Sequence, residues 1–188
     1  MCILLFRDGT VISISPGTDL EFTAPILARL KHRETSLRVS ADGSFLVQAL
    51  LDLIVDRVFA VVDEYHAKIV DLERRVLLSP KMKAVRDLHI LQGDLSQHKR
   101  TLEPVKTVAY GLRRYDVDRV AAMMTDADKA AGKPAVGYMS HKAKIYLADV
   151  VDHMDYVLTS LDMFAGTTEN LINYTFNVRG MAASRDHC

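Results

Sequence analysis

Apolar and polar positions alternate only near the start of the chain, where they predict a small β unit. The apolar run 1–6 is followed by Asp8-Gly9 and then by the alternating stretch 10–15. Aspartate followed by glycine between two β-prone runs favours a hairpin, because the tight turn needs a positive φ. A two-stranded hairpin alone is marginal in water, so we expect it to pack on other elements. A helical pattern over 22–31, with Pro25 in its first turn, predicts a short helix beside it.

The rest of the chain has apolar residues three or four positions apart, which is the spacing of amphipathic helices. The first long pattern begins at Ser44, the predicted N-cap, and ends before Ser79-Pro80. At 1.5 Å per residue this helix is roughly 50 Å long. A second pattern covers about 81–116, contains Pro104 and is expected to bend there. The short connection between the two predicts an antiparallel helical hairpin.

The pattern as a whole predicts an α+β fold that is predominantly α. An N-terminal β-hairpin is followed by a short helix and three long helices, of which the first two form the helical hairpin. The predicted organisation is a sheet unit at 1–42, the helical hairpin at 43–124, an exposed loop at 125–137, the third long helix at 138–177 and a divergent tail at 178–188.

Composition and charge exclude several classes of protein. The 24 Lys and Arg residues balance the 24 Asp and Glu residues, so a broadly basic nucleic-acid-binding protein is not expected. Charged residues interrupt every apolar run well before the roughly 20 residues of a transmembrane helix. Cys2 and Cys188 lie at opposite ends and fit neither a disulfide framework nor a zinc site. No secretion signal is apparent, and we expect a cytoplasmic chain.

The first long helix has an acidic outer face that allows two interpretations. It can be a solvated face with partial salt bridging to Arg57, Lys68, Arg74 and Arg75, or a surface that attracts cations. Its acidic residues are Asp52, Asp56, Asp63, Glu64, Asp71 and Glu73.

A second polar group lies on the third long helix, where Asp149, Asp152 and His153 share one face. Ordinary pairing of Asp152 or Asp155 with a nearby lysine, Lys142 or Lys144, is the alternative to metal binding. Three ligands on one helical turn cannot enclose a metal, so a metal hydrolase is not favoured. Neither a Ser-His-Asp arrangement nor a phosphate-binding loop appears, and we expect no enzyme.

Four segments resemble the CorA family of divalent-cation channels, especially its fungal-type branch. Residues 88–95, continuing through 98–106, resemble the second of the family's two long acidic helices. The segment Asp149-Val150-Val151-Asp152-His153 resembles the Asp-Val-x-Asp-His element on the family's stalk helix. Residues 156–177 resemble the stalk near the membrane, and 1–15 resemble the last two strands of the cytosolic sheet. The resemblance covers about 1–177.

This resemblance implies a homopentamer whose membrane-embedded pore is controlled by Mg²⁺ bound between cytosolic domains. Asp149 matches the regulatory stalk aspartate, and Asp152 and His153 share its helix face. The resemblance implies weak, regulatory binding of Mg²⁺ or other divalent cations. It implies no nucleic-acid partner. Asn173 falls where bacterial members carry a pore-facing aspartate. The parent protein would lie in the membrane, with this part on the cytosolic side.

The sequence departs from the family pattern in two places. The early part of the cytosolic sheet is missing, and Gly180-Met181-Ala182 differs from the Gly-Met-Asn pore signature. We therefore expect a truncated chain, the soluble cytosolic portion of a magnesium channel, with a regulatory rather than a conducting role. The alternative is a helical self-association module that is independent of metal.

Overall fold

The computed structural model describes residues 1–15 and 20–185. The predicted fold class, α+β and predominantly α, is confirmed, with the hairpin, the short helix and the three long helices in the predicted order. A 3-10 turn at Leu20–Thr23 leads into the first helix. The elements are β1 (Cys2–Leu5), β2 (Val11–Ile14), α1 (Ala24–Lys31), α2 (Ser36–Ser40), α3 (Gly43–Leu78), α4 (Met82–Arg114), α5 (Asp116–Met123), α6 (Asp126–Ala130) and α7 (His141–Arg185).

The N-terminal hairpin forms as the sequence predicts. β1 and β2 are antiparallel, with Leu5 opposite Val11. In the turn, Gly9 has a φ of +87° and the backbone N–H of Thr10 donates to Asp8 Oδ1 at 2.9 Å. The turn also lies against the start of α3, since a Cβ on Gly43 would collide with the carbonyl oxygen of Gly9. Glycine is therefore required at position 43 by close approach.

The chain divides into two compact units. The first contains Met1–Val55 and Lys106–Asp152, and the second contains Asp56–Val105 and the chain from His153 onward. In the first unit, Ile3 and Val11 of the hairpin pack against a buried cluster from α1, α2 and α3. That cluster is Ile26, Leu37, Phe45, Ala49 and Leu50.

The start of α3 is capped by a different residue from the one predicted. Asp42, not Ser44, is the capping side chain, because its Oδ1 accepts the backbone N–H of Ser44 at 2.9 Å. The Ser44 hydroxyl donates to the same carboxylate at 2.7 Å and accepts the backbone N–H of Ser140 at 2.9 Å. The short helix α2 precedes α3, and its C-cap residue Ala41 lies in the left-handed region with a φ of +47°.

Asp116 organises the segment between α5 and α7. It is 6% exposed and accepts the backbone N–H groups of Tyr138 at 2.9 Å and Met139 at 3.0 Å. Lys144 Nζ lies 3.1 Å from Asp116 Oδ2. Burial raises the pKa of Asp116, but these hydrogen bonds and the lysine outweigh it, so the pKa lies below its ordinary value. Gly137 has no room for a Cβ beside this carboxylate.

The stretch predicted as an exposed loop, 125–137, contains the short helix α6. Thr125 is its N-cap, accepting the backbone N–H of Asp128 at 3.2 Å. The end of the stretch is held by Arg7, whose guanidinium donates to the carbonyl of Val136 at 2.6 Å. The same guanidinium lies 3.8 Å from the ring centroid of Tyr138. A hairpin residue thus fixes the approach to α7.

In the second unit, parts of α3, α4 and α7 share one apolar core. The antiparallel pairing of α3 and α4 brings the Tyr65 hydroxyl to 3.0 Å from His98 Nδ1. An exposed ion pair joins α4 to α7, with Lys99 Nζ 2.7 Å and 2.9 Å from the two carboxylate oxygens of Asp162. Pro104 lies inside α4 without ending it. The core residues are Val62, Tyr65, Ile69, Leu72, Val76, Val85, Leu88, Leu91, Leu95, Val157, Leu161, Phe164, Leu171 and Ile172.

The bounds of α7 differ from those predicted. The helix begins at His141 rather than near Tyr138, because the Ser140 hydroxyl accepts the backbone N–H of Ala143 at 3.1 Å. It continues beyond Asn177 to Arg185, since no proline interrupts it and a single glycine only weakens a helix. Residues 186–188 of the predicted divergent tail lie outside the described residues.

Candidate metal centre

Asp149 and Asp152 are exposed on the solvent side of α7. They are three residues apart, so their carboxylates lie on one face of the helix. Neither forms a hydrogen bond or an ion pair with any residue of the described ranges. Two adjacent carboxylates without a cationic partner concentrate negative charge on this face of the helix.

The lysines offered as alternative partners are engaged elsewhere. Lys144 binds Asp116, as described above. Lys142 Nζ lies 4.3 Å from the ring centroid of Phe45. Of the two pairings offered as the alternative, that of Asp152 with one of these lysines is not observed.

His153 is half-buried and lies in the second unit. Its Nδ1 is buried and has no hydrogen-bond partner among the described residues. The ring contacts Phe59 edge-on, with centroids 5.3 Å apart and planes at 78°. A carboxylate oxygen of Asp56, on α3, lies within 4.8 Å of a nitrogen of the His153 ring. The structure therefore brings His153 towards Asp56.

The chemistry of this pair fits a divalent cation. Two bonds of about 2.0–2.2 Å span at most about 4.4 Å, so donor atoms that lie within 4.8 Å of one another can share a metal ion after a small side-chain movement. Asp56 is exposed, so water can complete the coordination shell. A carboxylate oxygen suits Mg²⁺, whereas an imidazole nitrogen suits cobalt, nickel or zinc better. The orphaned Nδ1 is consistent with a ligand that is bound through the ring.

The sequence pattern placed Asp56 on an acidic face that is either solvated or attracts cations, and it did not connect Asp56 with His153. A signal was present, because Asp52 and Asp56 interrupt an apolar run and lie one helical turn apart. The pairing itself depends on how α3 packs against α7. Further along α3 the salt-bridging interpretation holds, with Glu64–Lys68 and Asp71–Arg75 ion pairs at 2.7 Å each.

Asn173, the candidate pore-facing residue, is exposed on α7. It lies near Thr175, whose hydroxyl is fully buried and donates to the carbonyl of Leu171 at 2.8 Å. The polar side chains of this segment therefore divide between an outer face and a buried face. In the described part of the chain, no helix combines the length and apolar character needed to cross a bilayer.

Comparison with known proteins agrees with this architecture. A family model described as "CorA-like Mg2+ transporter protein" matches residues 1–181, which extends past Asn177, where the resemblance was expected to end. The cobalt/magnesium transport protein CorA of Thermotoga maritima is 24% identical over 188 residues, covering 97% of this chain and 47% of the relative. The chain spans about half the length of that relative. Because the family model matches almost the whole sequence, this chain belongs to the family of CorA-like Mg²⁺ transporter proteins.

Proposed function

We propose that this chain forms the cytosolic part of a CorA-type magnesium or divalent-cation channel and regulates it rather than conducting ions. The observation that carries this proposal is the family match over residues 1–181. The relative from Thermotoga maritima is named for cobalt and magnesium transport, which supports divalent cations as the ligands. Transport, not catalysis, is the family's activity, so we assign no enzymatic role.

Asp149 is the proposed regulatory ligand, with Asp152 beside it. Both carboxylates are exposed and lack a cationic partner among the described residues. Mg²⁺ prefers oxygen ligands and keeps several of its waters, so it can bridge carboxylates of neighbouring chains. Bound Mg²⁺ would offset the repulsion between acidic faces in a homo-oligomer, a pentamer in the intact protein. Loss of Mg²⁺ would restore the repulsion and favour the separated state.

His153 and Asp56 are the proposed ligands of a second divalent cation within one chain. The imidazole nitrogen makes cobalt a better occupant than magnesium. With two donors from the second unit the affinity would be weak, and water would supply further ligands. Asn173 is proposed to contact a hydrated cation through its amide oxygen, which needs no change in protonation.

The regulatory proposal is tested by measuring the mass of the chain by light scattering on a sizing column. The Mg²⁺ concentration is varied against a chelator. We expect Mg²⁺ to raise the mass and Asp149→Ala to abolish the increase, because the bridging carboxylate is lost. Asp118→Asn is the control, since it removes an exposed and unpaired carboxylate from α5. An equal loss in the control would show that overall charge, not a site, drives assembly.

Association without metal is the second candidate function. Tyr156 and Met163 are 58% and 59% exposed and lie seven residues apart on α7. This spacing is that of a helix–helix seam. A mass above that of the monomer that is unchanged by chelator and by Asp149→Ala would favour this function over the regulatory one.

The Asp56–His153 pair is tested with Co²⁺, whose visible absorption reports its ligands. We expect His153→Gln and Asp56→Asn each to weaken Co²⁺ binding roughly tenfold, because each removes one of two protein donors. His89→Gln is the matched control, since His89 is exposed on α4. Co²⁺ spectra that are identical in all four proteins would rule out this pair as the binding site.

A further inference from the structure

A cavity of about 320 Å³ in the first unit is lined mainly by basic side chains. Arg113 and Arg114 come from the last turn of α4, and His141 and Lys144 come from the start of α7. Of the side chains that the structure describes, none lining this cavity is acidic. The lining residues are Tyr110, Arg113, Arg114, His141, Lys144 and Ile145.

The positive charge of this basic cavity is only partly neutralised by the protein. Lys144 is held by Asp116, but that carboxylate also accepts two backbone N–H groups. Arg113 and Arg114 are exposed and form no ion pair with a residue in 1–15 or 20–185. Two guanidinium groups thus remain available beside the cavity.

The helix dipoles account for the basic residues at the end of α4 but not for the lysine at the start of α7. Cations in the last turn of α4 are favourable, because the carboxyl end of a helix carries partial negative charge. Lys144 lies near the amino end of α7, where the partial charge is positive and a cation is disfavoured. The cations from the two helices therefore repel each other, and an anion in the cavity would relieve that repulsion.

We propose that this basic cavity binds a free anion that carries several linked phosphate groups. Arginine is suited to phosphate, because its planar guanidinium donates two parallel hydrogen bonds to phosphate oxygens. Lys144, whose ammonium is paired with Asp116, lines the cavity from α7. The volume lies at the lower end of the roughly 300–1,000 Å³ of small-molecule sites, which fits a short polyphosphate. Neither Asp149 nor the Asp56–His153 pair is among the residues that line this cavity.

The test is calorimetric titration of the full chain with inorganic tripolyphosphate, in chelator so that no divalent cation takes part. We expect tripolyphosphate to bind more tightly than orthophosphate, because it engages several cations at once. The double variant Arg113→Gln and Arg114→Gln should lose roughly tenfold or more in affinity, since charge-assisted hydrogen bonds are lost. Both side chains are exposed, and an unchanged circular dichroism spectrum would confirm that the variant folds.

The matched control is the double variant Arg74→Gln and Arg86→Gln, which removes the same charge from exposed positions in the second unit. We expect its affinity to stay within about twofold of the parent, because neither side chain lines the cavity and exposed charges are screened by salt. The proposal is overturned if tripolyphosphate does not bind, or if both double variants lose affinity equally. Binding only to vesicles of anionic lipid, and not to tripolyphosphate, would also overturn it.

Discussion

Single buried polar groups carry much of the specificity of this structure. Asp116 links three parts of the first unit, because its two oxygens serve the backbone N–H groups of Tyr138 and Met139 and the ammonium of Lys144. His153 shows the opposite condition, with a buried ring nitrogen that has no partner in the described part of the protein. A satisfied buried carboxylate stabilises the fold, whereas an unsatisfied nitrogen is available for a ligand.

The first residue-scale prediction concerns Asp116 and pH. We expect Asp116→Asn to lower the free energy of unfolding at pH 7 by about 2 kcal/mol, because a nearly buried charge pair is broken. The folded-state pKa of Asp116 lies below its ordinary value of 3.8. The stability contributed by the carboxylate is therefore present above pH 3.8 and is lost as the pH falls through the lower, folded-state pKa.

Urea denaturation measures this difference for the parent and for Asp116→Asn. The measurement runs from pH 7 to pH 2.5, which is about one unit or more below the ordinary pKa. The stability gap should be constant near neutrality and should shrink in acid. Asp118→Asn, an exposed carboxylate on the same helix, should change stability by less than about 0.5 kcal/mol. A gap of the same size at every pH would mean that the charge of Asp116 does not contribute.

At the scale of elements, helix bounds depend on local chemistry that the apolar pattern does not contain. The three long helices follow from their spacing of apolar residues. The first residues of two of these helices are set by capping side chains, Asp42 for α3 and Ser140 for α7. α2 lacks a long apolar pattern and depends on Thr35, whose hydroxyl accepts the backbone N–H of Arg38. Short helices of this kind form because the surrounding core holds them.

Replacing each of two helical glycines by alanine should change the stability of the protein in opposite directions. A Cβ at Gly93, inside α4, meets no atom within 4 Å, so Gly93→Ala should raise stability by about 0.5–1 kcal/mol through helix propensity. A Cβ at Gly43 would collide with the Gly9 carbonyl, so Gly43→Ala should lower stability by about 1–3 kcal/mol. Thermal unfolding of both variants measures the contrast. A loss of stability in Gly93→Ala would show that α4 is packed more tightly there than described.

At the scale of the whole molecule, the outer face of the hairpin is an exposed apolar surface. Leu4 and Ile12 pair across the strands and are each 43% exposed, and Ile14 is 57% exposed. The opposite face, with Ile3 and Val11, packs on the core of the first unit. Because the side chains of a strand alternate, one face serves the fold and the other is left to water. Exposed apolar patches of this kind promote association.

We expect the double variant Leu4→Thr and Ile12→Thr to reduce concentration-dependent association while changing stability by less than about 1 kcal/mol. Threonine keeps the β preference and removes apolar surface. Val11→Thr, on the inward face, is the contrasting variant and should lower stability by about 1–2 kcal/mol, since a hydroxyl is placed against the core. Light scattering over a range of protein concentrations separates the two effects. Unaltered association in the double variant would show that a different surface drives association.

The sequence by itself determined the fold class, the order of the elements and the family. Hydrophobic period and turn chemistry are local properties, so the hairpin at Asp8-Gly9 and the three long helices can be recognised without neighbours. The segment around Asp149 likewise carries its resemblance in consecutive residues. Asp149, Asp152 and His153 were correctly predicted to lie along one helix.

Only the tertiary structure decided which side chains from different elements meet. Packing, not sequence separation, brings Asp56 to His153, Lys144 to Asp116, and the arginines of α4 to the start of α7. These contacts join residues that are distant in the chain, and their formation depends on the free energy of burying whole helix faces. A local pattern cannot encode such a pairing, because the same acidic residue can face solvent or a ligand according to how its helix packs.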